Sequence, residues 1–286
     1  MKDGSFITLG IESSCDETAA AVISEGRHVL SNIISSQIEI HTLYGGVVPE
    51  IASRQHLKNM DKVIDQALYE ANITFDDIDL IGVTHGPGLI GALLIGVAAA
   101  KAIVFAKDIP IVGVHHLHGH ISANYIAAPE LKPPFIGVVV SGGNTDIIDV
   151  CDYNYLKLLG ATRDDTAGEA MDKIARVLKL GYPGGPKIDA LAKRGNPHAV
   201  EFKRVLLEKG SYDFSFSGLK TNVINYINGA NQRGEQINTA DIAASFQLAV
   251  MEVIVEKSLN AAIEFGRDKI AISGGVAANS LLRGPH

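Results

Sequence analysis

Phe135-Ile136-Gly137-Val138-Val139-Val140 runs straight into Ser141-Gly142-Gly143-Asn144-Thr145-Asp146, and Ile147 to Val150 return. An uncharged β-branched run, a turn of small and polar residues and a second apolar run together predict a β-hairpin with an open tip. The same arrangement begins the chain. Phe6-Ile7-Thr8-Leu9-Gly10-Ile11 leads into Glu12-Ser13-Ser14-Cys15-Asp16-Glu17, and Thr18 to Ile23 return. Two such hairpins, each opening one half, predict a duplicated α/β unit, with halves at 1–133 and 134–286. Facing tips of this kind can hold a phosphate chain, because backbone N–H groups converge at them. Two ordinary hairpins in a larger sheet is the plainer alternative.

Helical patterns fill the intervals. Pro49 to Ala71 carries Ile51, Leu57, Met60, Ile64 and Leu68 at roughly helical spacing. Gly88 to Ala100 is uncharged for thirteen residues. A membrane span needs about eighteen or more, so this segment is expected to be a buried helix. The charged stretch Lys193 to Lys209 reads as a solvated helix pair or an RNA-facing edge.

The chain has 286 residues, 47% hydrophobic, with 25 basic against 32 acidic side chains and a net charge of −7. That balance excludes a protein that coats nucleic acid by charge alone, while leaving room for a local basic patch. Two cysteines, Cys15 and Cys151, do not make a disulfide scaffold and fit a reducing compartment. The opening residues lack the long apolar segment of a signal peptide. A soluble, cytoplasmic protein is expected.

Three local patterns carry chemistry. The first is His115-His116-Leu117-His118-Gly119-His120, where His116 and His120 would share one face of a helix and could share a metal. Surface or core histidines are the alternative. A zinc-protease reading fails at Leu117, which stands where those enzymes place a catalytic glutamate. The second is a set of glycine turns, Thr84-to-Gly88, Gly181-to-Pro186 and Ser273-to-Asn279, that with Ser141–Asn144 favour a nucleotide. None matches a Walker-type loop or a dinucleotide fingerprint. The third is Asp164-to-Lys173, which starts a helix with Asp165 as the expected N-cap. Asp172, and Asp189 beyond the Gly184-Gly185 turn, are candidate acceptors for ribose or other hydroxyls.

Together these stretches resemble the tRNA N6-adenosine threonylcarbamoyltransferases. The resemblance is carried by Gly10-to-Thr18 (GIESSCDET), Gly45-to-His56 (GGVVPEIASRQH), Thr84-to-Gly91 (THGPGLIG) and His116-to-His120. It continues through Val140-to-Thr145 (VSGGNT), Asp164-to-Lys173, Tyr182-to-Pro186, Phe214-to-Thr221 (FSFSGLKT) and Ser273-to-Asn279, in the family's order. It implies an actin-like, Hsp70-like ATPase fold of two duplicated lobes around a nucleotide cleft. It implies that His116 and His120 bind iron or zinc, completed by an aspartate near the C-terminus. ATP, ADP or threonylcarbamoyl-AMP would lie at Val139, Val140, Ser141, Gly142, Gly143, Asp172, Gly185, Asp189 and Asn279, with Asp16 assisting the chemistry.

The implied reaction moves threonylcarbamoyl from its adenylate to the N6 amine of the adenosine beside the anticodon. The implied partners are tRNA and either a paralogous subunit of the same fold with a small ATPase, or a second copy in a homodimer; no membrane is involved. His118 stands where many members have glutamate. The segment expected to hold the third metal ligand has no counterpart up to His286, so the chain reads as C-terminally truncated. A non-catalytic scaffold subunit and a kinase of the same fold are the alternatives. The retained Asp16, His116 and His120 argue against the first, and the paired histidines against the second.

Overall fold

The computed structural model describes residues 4–204, 208 and 210–283. The chain forms two compact units, Met1–Glu130 and Leu131–His286. In the first, β1 (Ile7–Glu12) and β2 (Glu17–Ser24) make the expected hairpin, and β3 (His28–Ser36) extends it. The short helix α1 (Ile38–Thr42) and the long α2 (Pro49–Ala71) cross to β4 (Leu80–Gly86), which pairs parallel with β1. Helix α3 (Ile90–Lys107) leads to β5 (Ile111–His115), parallel to β4, and α4 (His116–Ala127) follows at once. The sheet order is β3-β2-β1-β4-β5.

The second unit repeats the plan. Strands β6 (Phe135–Val140), β7 (Thr145–Asp152) and β8 (Tyr155–Ala161) form an antiparallel meander. Helices α5 (Ala167–Val177), α6 (Gly184–Ala192), α7 (Ser217–Gln232) and α8 (Thr239–Glu264) then intervene before β9 (Ile270–Ser273), which pairs parallel with β6. A 3-10 turn, Gly275–Ala278, and α9 (Ser280–Arg283) complete it. The order β8-β7-β6-β9 matches β3-β2-β1-β4 strand for strand. This is the duplicated α/β unit that the hairpins predict, and the actin-like fold that the resemblance implies.

Burial follows the patterning. Ile7, Leu9 and Ile11 alternate inward from β1 and pack with Met60, Val63, Ile64 and Leu68 of α2. Every residue of β6 is buried, as a central strand covered on both faces requires. The second core gathers Phe214, Phe216 and Phe246 around Met171 and Ile174; burying each such side chain contributes about 1.5–3 kcal/mol.

Four expectations need correction. Leu57 of α2 is 68% exposed; the buried stripe runs instead through Ala52, His56 and Met60. Helix α3 buries only Ala92, Leu93, Gly96 and Ala100, while Ile90, Leu94 and Phe105 lie open. It is long and apolar enough to pass a length test for a membrane span, and it is one-sided rather than buried. Residues 193–204 contain no helix beyond the end of α6, so no helix pair stands there among the described residues; 205–207 and 209 lie outside them. The N-cap of α5 is Thr166, whose side chain accepts from Glu169 N. Asp165 instead pairs with Lys173 and Lys220, each at 2.6 Å, because two nearby ammonium groups hold its charge better than one backbone N–H.

One ion pair ties the strands of the second unit to its last crossover. The Arg267 guanidinium grips Asp149 of β7 at 2.7 and 3.0 Å and holds its carboxyl below the usual range. Asp149 is nearly inaccessible. Asp149→Asn is expected to lower the urea midpoint of this unit, since it removes the buried charge that faces the part-exposed Arg267 guanidinium. The pair's contribution is complete above the unfolded aspartate value of about 4, and fades as pH falls through the lower folded value.

Candidate functional site

In the first unit the chemistry gathers at the tip between β1 and β2. Each tip residue is held by a different element. Ser13 Oγ donates to Ala92 O at 2.9 Å and accepts from Gly96 N at 3.2 Å, which fixes it against α3. Leu89 N donates to Ser14 O at 2.8 Å, and Gln37 N to Asp16 O at 3.0 Å. His56 Nε2 donates to Cys15 O at 2.9 Å, so its Nδ1 accepts from the Thr18 hydroxyl at 2.8 Å. Glycines make these approaches possible: a Cβ on Gly88 would stand 2.5 Å from Ser14 O, and one on Gly96 2.5 Å from Ser13 Oγ. The tip therefore presents Glu12, Ser14 and Asp16 from a backbone anchored at four successive residues.

The carboxyl ends of β1 and β5 lie at the same edge of the sheet, which brings the histidine run to this tip. His116, the first residue of α4, has Nδ1 at 3.2 Å from Glu12 Oε2 and 3.3 Å from Ser14 Oγ. Glu12 Oε1 accepts from Ser14 N. Burial raises the Glu12 carboxyl, but hydrogen bonds from His116, Ser14 and Thr84 outweigh it and hold the group at about 2. An ionised carboxylate only accepts, so His116 Nδ1 is the donor in this contact. His120 stands one turn on, its ring 4.6 Å from that of His116, edge to face. Burial, and then the neighbouring His116, keep its pKa low and its imidazole neutral.

Two imidazoles on one helical face, one of them backed by a carboxylate, fit a divalent metal. No group of three His, Cys, Asp or Glu side chains suited to a metal occurs among the described residues. His115 and His118 pair separately, rings 5.0 Å apart.

The second unit gathers the remaining candidates into a closed circuit of contacts. Thr166 Oγ1 donates to Gly142 O at 2.8 Å, and Gly168 packs so tightly beneath Ser141 that a Cβ would meet its carbonyl at 2.5 Å. Asp172, further along α5, accepts from Gly184 N at 2.6 Å, which seats the start of α6. Asp189 Oδ1, on α6, accepts from Ser280 N, Ser280 Oγ and Gln247 Nε2 at 3.2, 2.6 and 3.0 Å. Asn279 opens α9 by accepting from Leu281 N at 3.0 Å. Gly274, at φ +92°, returns the circuit to β6, where a Cβ would lie 2.4 Å from Val140 O.

Val139 to Gly143, Asp172, Gly185, Asp189 and Asn279 thus belong to one cluster. Val139 and Val140 have fully buried side chains, so only their backbone can serve a ligand. Asp172 and Asp189, the candidate ribose acceptors, each have Oδ1 committed to protein donors that position the next helix. Above Gly142, Gly143 and Gly275 the space that a Cβ would take is empty. On either side of Val139 in the ladder, Asp146 Oδ2 and Ser273 Oγ are buried without a hydrogen-bond partner. An open glycine tip beside orphaned polar atoms suits a polar ligand.

Sequence reasoning had passed over Glu12, Ser14, His56 and Thr166 as individuals. The signal for Glu12 lay in the parallel β1-β4-β5 order, which the hairpin pattern alone does not supply.

The family's sequence profile, described as tRNA N6-adenosine threonylcarbamoyltransferase, matches residues 28–286. The chain belongs to the tRNA N6-adenosine threonylcarbamoyltransferase family, whose members are tRNA-modifying transferases. It is 60% identical to the so-named protein of Clostridioides difficile strain 630, over 97% of this chain and 82% of that one. It is 57% identical to that of Clostridium botulinum strain 657, over 96% and 81%. Among solved structures it is similar in fold to HypF of T. kodakarensis, at TM-score 0.64 and 16% identity, over 97% of this chain and 43% of that one.

Because His56 is buried and neutral in the fold, its pKa lies below the ordinary histidine value. Its contribution to stability is whole above about pH 6.5 and declines as pH falls toward the folded value, by at most about 1.4 kcal/mol per unit. His56→Ala is expected to cost about 2 kcal/mol and to flatten that slope, as read from urea melts between pH 5 and 8.

Proposed function

We propose that the chain transfers threonylcarbamoyl from threonylcarbamoyl-AMP to N6 of the adenosine 3′-adjacent to the anticodon in tRNAs reading ANN codons. The anchored tip, which carries Asp16 two residues beyond Ser14 and meets His116 through Glu12 and Ser14, carries this reading. His116 and His120 would hold one divalent metal, iron or zinc, which when bound supplies Lewis acidity toward the acyl group.

The chain's own residues account for the rest. The N6 amine conjugates with its purine ring and is a poor nucleophile, so its proton must leave as the N–C bond forms. Asp16 takes that proton as the bond between carbonyl carbon and AMP phosphate oxygen breaks. Backbone N–H groups of the Ser141–Gly143 tip and the first turn of α5 hold the departing phosphate. In this structure Gly143 N and Asn144 N donate to Ser141 Oγ, so that hydroxyl keeps the tip shaped and can yield donors to an anion. Asp172 and Asp189 hold the tip's neighbouring helices, and Gly185 and Asn279 line the same cluster. ATP or ADP would occupy the same place. The two free cysteines fit a reducing cytoplasm.

Partner binding follows from α3. Ile90, Leu94 and Phe105 are 75, 58 and 95% exposed and fall along one stripe. Such a stripe suits a second actin-like subunit, a paralogue or another copy, with a small ATPase and tRNA completing the assembly.

In a transfer assay with unmodified tRNA, threonylcarbamoyl-AMP, partner proteins and iron or zinc, Asp16→Asn is expected to lose about 100-fold in rate. Adenylate binding should be unchanged; a parallel loss of binding would overturn the proton-transfer role. Leu94→Glu is expected to weaken subunit association at least about tenfold, measured by sedimentation, with the fold intact. Unchanged association would remove α3 from the interface.

A further inference from the structure

We infer that Glu12 is a positioning residue for the metal proposed above: it fixes His116 with its proton on Nδ1 and so leaves Nε2 as the ligating nitrogen. This rests on the reading of His116 and His120 as ligands. Glu12 belongs to neither their helix nor their strand. It ends β1, paired with Ala19, 104 residues from His116 in sequence. Its two oxygens have separate tasks, Oε1 taking Ser14 N and Oε2 taking His116 Nδ1 at 3.2 Å. The carboxylate therefore cannot swing away without releasing the anchored tip. Both side chains are about 30% exposed, so the contact is only partly shielded from water.

The consequence is chemical. A free neutral imidazole favours the tautomer with hydrogen on Nε2, which would block that nitrogen. A carboxylate fixed at Nδ1 reverses the preference, makes Nε2 more basic and restricts ring rotation. Ser14 Oγ, at 3.3 Å from the same nitrogen, supports the arrangement but can donate or accept, so it cannot set the tautomer alone.

The test pairs nitrogen-15 NMR of the histidine rings with cobalt(II) titration followed by visible absorption, on the full chain. In the parent, His116 is expected as the Nδ1–H tautomer. Glu12→Ala should shift it toward Nε2–H and lower cobalt affinity about 10- to 100-fold. Glu12→Gln, whose carbonyl still accepts from Nδ1–H, should keep the tautomer and recover part of the affinity. If Glu12→Ala does not fold, Glu12→Asp, which withdraws the charge by one methylene, should show the same shift. An unchanged tautomer and affinity within about twofold, in a parent that binds cobalt, would overturn the inference alone. A parent that binds no cobalt would instead overturn the metal reading, and with it the purpose assigned to Glu12.

Discussion

Parallel pairing of each hairpin's first strand with a strand far along the chain, β1 with β4 and β6 with β9, is the constraint on which the remaining structure hangs. A parallel partner cannot be reached by a tight turn, so each unit must insert helices before it can close its sheet. Those helices then cover the sheet, and the loops that follow the parallel strands emerge beside the hairpin tip. Chemistry accumulates at that edge because the topology delivers Gly86–Leu89, His116 and Ser273–Asn279 there. The two units obey one rule and differ in what they insert, a short and a long helix in the first and four helices in the second.

The two tips have opposite mechanical characters. The first is held at Ser13, Ser14, Cys15 and Asp16 by partners on α3, the loop before it, α2 and the segment before α1. The roles proposed for Asp16 and His116 need fixed positions, since misplacement by about 1 Å is costly. The second tip is tethered at Gly142 O by Thr166 and by the close approach of Gly168, while the space a Cβ would take on Gly142 and Gly143 stays open. A phosphate-binding tip works through backbone N–H groups and needs no side chain above them. The carboxylates Asp164 and Asp165 serve the same end at a distance. Asp164 accepts from Phe216 N and Ser217 N at the start of α7, and Asp165 bridges Lys173 to Lys220.

Much of this was legible in the sequence, for reasons that differ by residue. Strand β6 and helix α2 were bounded to the residue because β-branched continuity and the Pro49 start are local signals. His116 and His120 share a face as their spacing requires. Glu12 was not legible as an individual, because its role depends on strands 104 residues apart meeting at one edge. Asp165 was misread as a cap because its competing partners, Lys173 and Lys220, include one from a helix that only tertiary packing brings near. The same holds for Asp172 and Asp189, whose acceptor strength was foreseen but whose protein donors, Gly184 and Ser280, were not.

Helix α3 is the sharpest case of sequence and burial disagreeing. Its uncharged composition predicts a core helix, and hydrophobicity all round leaves no amphipathic pattern to contradict that. Yet Gly96 shows which face goes inward, since it takes the Ser13 hydroxyl where a Cβ would collide. Ala92, Leu93 and Ala100 follow the same side, so the opposite stripe of Ile90, Leu94 and Phe105 must face out. Small residues select the buried face by allowing close approach, and large ones remain on the face with room. An acidic chain gains little attraction of its own toward an acidic RNA, which is why the open apolar stripe of α3 supports the proposed protein partner.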